Sequence, residues 1–421
     1  MKVYFITIVF LLSLTSVYAL SPVKWNSNLS TEQNIAANSI ALKNATDLFF
    51  LNKIAREKSI IILGEPGHYE LKTSEAKISI INYLKSKEFN SVAMETVSFI
   101  SGYVFSSPEY KEKTKDWDFE NMWSTVWTDQ KTCKPIVEQI NKREIKLLGI
   151  DSQLGYYDID AVKIILEKYK DEFPIDIDWK KLQDYYISCL VFYMVPQEYK
   201  PLNKTEEYEL MSLVNKIQNY TGCIISRNGN NINLKALLQW VQNVKNAYPY
   251  NKYNKVLDPP KNASEMTFAT YIERSRDDMM AKNVIWYSIN KPKEKFTVWC
   301  ANYHASRDLS QVTIPYDSLL YFSTQTMGEF LSQNPINKKM YSLALISKNV
   351  YKGEVNGKLE SEIAQFTNNA PFAFIDFASL RFAEGYWDKT FNVSIKLNRD
   401  GKYLYSYDGL YYIRDQELNY K

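Results

Sequence analysis

Histidine is scarce in this chain: of 421 residues only His68 and His304 are histidines. Each stands just past an apolar run. Ile60-Ile61-Ile62-Leu63 leads into Gly64-Glu65-Pro66-Gly67-His68, and Phe296-Thr297-Val298-Trp299-Cys300-Ala301 into Asn302-Tyr303-His304. Two further apolar runs stop on acids, Ser91-Val92-Ala93-Met94 on Glu95 and Leu147-Leu148-Gly149-Ile150 on Asp151. An imidazole beside a carboxylate can take a proton from water, the carboxylate orienting the ring and supporting the imidazolium. Glu65, three residues before His68, supplies such a pair on one turn, and Glu95 could hold the same water from another side. Lys77 follows on a helical segment and is a candidate for stabilising a developing oxyanion. This set suits hydrolysis without a covalent intermediate, and no Gly-x-Ser-x-Gly elbow offers a serine route. Glu65, His68, Glu95 and His304 are also four conceivable zinc ligands. There is no His-Glu-x-x-His helix to sharpen that pattern, so no metal and no other cofactor is assigned. Asp151 is a further rim candidate, and Trp123 and Trp127 could line a pocket for an apolar or ring-shaped ligand or belong to the core.

These residues can meet only if the runs that carry them share a sheet. Residues 60–63 are apolar and β-branched, as a strand buried on both faces requires. Two glycines and a proline then force a turn. An amphipathic helix follows, with Ala76, Ile80, Tyr83 and Leu84 on one face, and the strand ending on Glu95 completes a β-α-β unit. In open parallel sheets ligands sit outside the carboxyl ends of the strands, which is where Glu65, His68, Glu95 and Asp151 fall. From about Tyr157 to Asn290 the periodicity is mostly helical, with segments at Val162–Lys170, Glu206–Gln218, Leu234–Ala247 and Glu273–Asn290. A block of that length is an insertion rather than a crossover. Helices are expected near Thr31–Leu42 and Asp47–Glu57, later strands at Met340–Ile346 and Phe372–Phe377, and a hairpin or edge strand at Tyr403–Ile413. The expected fold is α/β: a mostly parallel twisted sheet flanked by helices, with a helical insertion covering the cleft.

The formal net charge is +3, with lysines interleaved among acids. No basic stripe of the kind nucleic acid requires is present. Lys2, an apolar stretch from Val3 to Leu14, and Val17-Tyr18-Ala19 match a signal peptide cleaved after Ala19. The stretch is too short for a lasting membrane span, so the expectation is an exported chain, periplasmic or secreted, with residues 20–421 as one α/β domain. Export permits disulfides, and Cys189 with Cys223 is the favoured pair among three possible pairings of the four cysteines.

The ordered motifs resemble those of the erythromycin esterase family, which includes succinoglycan biosynthesis homologues. The resemblance is carried by Leu63-Gly64-Glu65-Pro66-Gly67-His68, the strand ending on Glu95, and Leu148-Gly149-Ile150-Asp151. It continues in Arg276-Asp277-Asp278-Met279-Met280-Ala281-Lys282-Asn283 and Trp299-Cys300-Ala301-Asn302-Tyr303-His304, spanning roughly residues 40–415. It implies a metal-independent hydrolase that opens a macrolactone ester. His68 would activate water between Glu65 and Glu95, with Lys77 and His304 completing the site. Three departures stand out. Tyr69 replaces a glycine and adds bulk where a ligand would approach. Lys77 replaces an arginine and loses its bidentate fork. Ala301 replaces the first histidine of the His-Asn-x-His pair. They point away from a macrolide and toward another small-molecule ester or lactone. Two alternatives stay open: a non-catalytic small-molecule-binding protein on the same fold, and a metal-dependent hydrolase.

Overall fold

The computed structural model describes residues 23–416 apart from Tyr69, Ser124, 172–175, 195–201, Asn230, 254–262, 313–324, 349–356 and 395–397. The leader expected at 1–19 and Tyr69 therefore lie outside the described residues.

The run Ile60–Leu63 forms a strand buried at every position. In chain order the strands are β1 (Ile40–Leu42), β2 (Ile60–Leu63), β3 (Phe89–Ser98), β4 (Lys146–Asp151), β5 (Lys295–Trp299), β6 (Met340–Ser347), β7 (Phe372–Ile375), β8 (Phe391–Ser394), β9 (Asn398–Gly401) and β10 (Gly409–Ile413). Eight of them build one sheet in the order β1-β7-β10-β6-β2-β5-β3-β4, while β8 and β9 pair separately. From β10 to β4 every pairing is parallel; β7 runs antiparallel to both β10 and β1. The expected mostly parallel sheet is present.

Alternation along the strands divides the core in two. Ile60 and Ile62 point into one apolar cluster, Ile61 and Leu63 into the other. The second cluster is covered by α1 (Leu71–Lys85), which contributes Ala76, Ile80, Ile81 and Leu84. The first is covered by α2 (Phe99–Ser106) and by the helical run α3 (Asp158–Leu166), α4 (Trp179–Met194), α5 (Lys204–Asn228), α6 (Ile232–Tyr253) and α7 (Ala263–Asn290). Among the described residues no helix is long and apolar enough to cross a membrane.

Three expectations need correction. The helix at Thr31–Leu42 stops at Ala36, where Asn38 turns back to bond the Asn34 and Lys24 carbonyls, and Ile40–Leu42 becomes β1 on the edge of the sheet. Tyr403–Ile413 is not an edge: a short helix, Tyr403–Ser406, precedes β10, which lies between β6 and β7 with Tyr411 and Tyr412 fully buried. Glu95 does not end its strand. Pairing to β4 runs regularly to Met94, breaks, and resumes at Ser98. Thr96 takes a left-handed conformation, φ 67°, inside the break. A bulge re-aims side chains, and a β-branched residue with positive φ stores about 1–3 kcal/mol of strain. The Thr96 amide bonds Asp151 Oδ2 at 3.0 Å, which fixes the distortion.

Beyond β5, Asn302 opens α8 (Asn302–Ala305). Its amide bonds the Glu65 carbonyl at 2.8 Å and its side-chain nitrogen bonds the Leu345 carbonyl at 2.8 Å. A Cβ on Gly64 would lie 2.2 Å from Asn302 Oδ1. Only glycine lets the turn after β2 pass under the turn after β5, and this close crossing brings the two histidine-bearing loops together.

All four cysteines are free thiols, Cys133, Cys189 and Cys300 buried and Cys223 exposed, so the expected Cys189–Cys223 disulfide is absent.

Candidate active site

Glu65 leaves the end of β2 and is buried, its carboxylate met by four donors. Oε1 accepts from His68 Nδ1 at 2.7 Å and Trp127 Nε1 at 3.1 Å; Oε2 accepts from Lys77 Nζ at 2.8 Å and Trp299 Nε1 at 3.0 Å. Burial works against this charge, but Lys77 and His68 outweigh it and hold the carboxyl below its ordinary range. Lys77, on α1, is fully buried. Its ammonium also donates to the Cys300 carbonyl at 3.0 Å and lies 4.7 Å from the Trp299 ring centroid. In this geometry the ammonium is buried and directed to Glu65 and the Cys300 carbonyl.

His68 differs from its partners in being open. Its side chain is 38% exposed against 1% for Glu65. The Trp127 ring packs against it edge-on at 4.7 Å, and Gln130 Nε2 bonds its carbonyl at 2.5 Å, fixing the loop. Because Nδ1 faces an ionised carboxylate it carries the proton, so in the neutral ring the lone pair sits on Nε2. Burial disfavours the imidazolium, yet the Glu65 bond, with the charges of Glu65 and Glu95, raises the His68 pKa above its ordinary value.

The second half of the site is sealed. The bulge in β3 turns Glu95 toward α7 and α8. Its Oε1 lies 3.1 Å from His304 Nε2 and 3.2 Å from Arg276 Nη2, and its Oε2 accepts from the Ala301 amide at 2.8 Å. Burial opposes this charge as well, but His304, Arg276 and His68 drive the Glu95 pKa well below the usual range. Arg276 also grips Asp151 through Nε at 3.2 Å and Nη2 at 2.6 Å. Asp277 accepts from His304 Nδ1 at 2.8 Å. One turn and a half further along α7, Asn283 ties the helix to the end of β4 through the Ile150 carbonyl at 2.8 Å.

A single peptide unit joins the halves: the Cys300 carbonyl accepts from Lys77 while the Ala301 amide donates to Glu95. Four carboxylates, Glu65, Glu95, Asp151 and Asp277, face Lys77, Arg276 and His304. With His304 protonated the cluster carries one excess negative charge, which a proton on His68 neutralises.

The structure brings His68, Glu65, Lys77, Glu95, His304, Asp151 and Trp127 into this network. Trp123 stacks on Trp127 at 5.2 Å but is core, buried with its Nε1 unpartnered. Arg276, Asp277 and Trp299 join the network beyond the residues that the sequence pattern points to. The signal for the first two was an Arg-Asp pair on a helix turned toward the sheet. The donors a zinc ion would need are spent, since every oxygen of Glu65 and Glu95 and both nitrogens of His304 already face protein groups.

This fold is that of erythromycin esterase and of the succinoglycan biosynthesis protein. A solved erythromycin esterase mutant, EreC in its open conformation, superposes with a TM-score of 0.64 over 91% of this chain and 98% of its own, at 12% identity. A succinoglycan biosynthesis protein gives 0.61 over 93% and 98%, at 13%. A Bacillus cereus protein gives 0.66 over 94% and 100%, at 16%. In sequence, the Bacillus subtilis (strain 168) protein named "Putative hydrolase YbfO" is 22% identical over 369 residues, covering 80% of this chain and 78% of its own. No family model matches the chain.

Proposed function

We propose that this protein is a hydrolase of carboxylic esters or lactones in which His68 is the general base. The observation that carries the reading is the state of the His68 ring: Nδ1 is fixed by a buried carboxylate, the side chain is 38% exposed, and no described residue bonds Nε2. That geometry takes a proton from a water poised at Nε2, and the excess negative charge of the cluster favours the resulting imidazolium. Glu65 orients the ring and Lys77 keeps Glu65 ionised. Both oxygens of Glu95 already face protein groups, and it acts on His68 through its field. The names of the YbfO and erythromycin esterase relatives support hydrolysis, not a particular substrate. Ala301 and Lys77, where the resembled family has histidine and arginine, argue for a substrate other than a macrolide.

The test is a broad ester and lactone panel on the purified chain, with His68→Ala as control. Turnover that falls about 10²–10⁴-fold in the variant is expected; turnover indifferent to the substitution would overturn the reading. A second reading, a non-catalytic binding protein, is favoured by Ala301, which meets Glu95 through its backbone amide alone where the resembled family has an imidazole. A metabolite retained through purification, with no turnover on the panel, would support it. We also propose export through the leader at 1–19; N-terminal sequencing of the mature protein starting at Leu20 would support it.

A further inference from the structure

His304 is the more heavily flanked of the two imidazoles. Nδ1 lies 2.8 Å from Asp277 Oδ1 and Nε2 lies 3.1 Å from Glu95 Oε1. Asp277 is fully buried. Its Oδ1 also accepts the Met327 amide at 2.6 Å, while its Oδ2 is buried with no partner among the described residues. A buried carboxylate with one bare oxygen is costly unless a full charge sits beside it. The neighbouring guanidinium of Arg276 is engaged with Asp151 and Glu95. Among the described residues, the group left to answer the Asp277 charge is His304.

We propose that Asp277 is a positioning residue that keeps His304 doubly protonated and in one ring orientation, so that His304 serves as a fixed cation on Glu95 and only His68 exchanges protons with substrate. The catalytic consequence rests on the reading of His68 as base; the charge state of His304 does not. Every charged group packed against the ring agrees with the assignment except one. Asp277 from α7 and Glu95 from β3 favour the imidazolium, the segment at Met327 presents only an amide, and Arg276 Nη1 at 3.2 Å opposes it. Burial also opposes the charge, yet the two carboxylates raise the His304 pKa to about 10.

With two histidines in the chain, selective ¹⁵N-histidine labelling of the whole protein gives two imidazoles, and His68→Gln assigns them. In the wild type, His304 should show both ring N–H groups through pH 9 while His68 titrates. Asp277→Asn should lower the His304 midpoint by about 1–3 pH units, and Asp277→Glu should restore part of the shift. In the active enzyme Asp277→Asn should add a second limb to the pH–rate profile, which lost packing alone would not do. If wild-type His304 titrates below pH 8, or if its midpoint ignores Asp277→Asn, the proposal fails. Should that variant not fold, Glu95→Gln probes the same imidazolium from the other side, and the wild-type titration still decides. Absence of any ester turnover would count against the hydrolase reading alone, since the ¹⁵N spectra need no substrate.

Discussion

The same side chain occupies two neighbouring loops and meets opposite conditions. His68 has one carboxylate partner and a side chain 38% exposed; His304 has two carboxylate partners and is 7% exposed. Both loops follow central parallel strands, β2 and β5, that are direct neighbours. What separates them is the covering layer. The described part of α7 lies over the Glu95 half and delivers Arg276, Asp277 and Asn283, whereas the Glu65 half is closed from below by Lys77 and two indoles. On the proposed reading, environment and not residue type divides a proton acceptor from a structural cation.

The largest effect that would sharpen this contrast is on stability. Removing His304 with alanine leaves Glu95 and Asp277 buried together without their shared cation, and breaking a buried pair in that way costs about 3–5 kcal/mol. His68→Ala removes a half-exposed partner and should cost no more than about 1 kcal/mol. Urea unfolding at neutral pH measures both. Equal losses would break the comparison. The pH dependence follows from the same geometry. A group whose folded pKa is raised contributes stability below its unfolded value, about 6.5 for histidine. The His304 contribution is thus complete below about pH 6.5 and is lost as the pH climbs toward about 10.

A second effect is on the working pH. The base form of His68 appears as the pH rises through a value above the ordinary imidazole range, because Glu65 outweighs burial. Glu65→Gln removes the bonded charge and leaves the burial, so the midpoint of the pH–rate profile should move down. An unmoved midpoint would mean that another group, not His68, is titrating.

Much of the frame was legible from apolar patterning. The all-buried run Ile60–Leu63, the following amphipathic helix and the strands after it are set by side-chain period and by breakers at Gly64, Pro66 and Gly67. Glu65, Glu95, Asp151 and the two imidazoles were legible too, because each stands just past an apolar run; Asp277, within a helix, was not. Roles were harder. Lys77 appears available in sequence and is consumed in structure by Glu65 and the Cys300 carbonyl, a tertiary contact 223 residues away. The bulge at Glu95–Val97 leaves no trace in a period-two pattern, since Thr96 is an ordinary strand residue by type and adopts positive φ only under the pull of Asp151. Tyr411 and Tyr412 fall in the segment expected as a hairpin or edge strand. They are buried because β7 pairs beyond them, a topological fact that one strand does not encode.

The smallest effect separates two indoles that lie parallel, 5.2 Å apart with 1° between their planes. Trp127 donates to Glu65 Oε1, whereas the Trp123 N–H is buried and unpartnered. Trp127→Phe removes a bond to a charged acceptor, worth about 1.5–3 kcal/mol. Oε1 of Glu65 is then left to His68 alone, and the less satisfied carboxylate pulls harder on the imidazolium, so the pH–rate midpoint should rise. Trp123→Phe gives up packing but also removes an orphaned donor that costs about 1–3 kcal/mol to bury. Its net effect on unfolding should be near zero and its effect on the midpoint nil. The pair is informative because ring and size are shared, while Trp127 alone bonds Glu65 and packs against His68. If both variants shifted the midpoint alike, the influence on His68 would come from ring packing and not from the carboxylate.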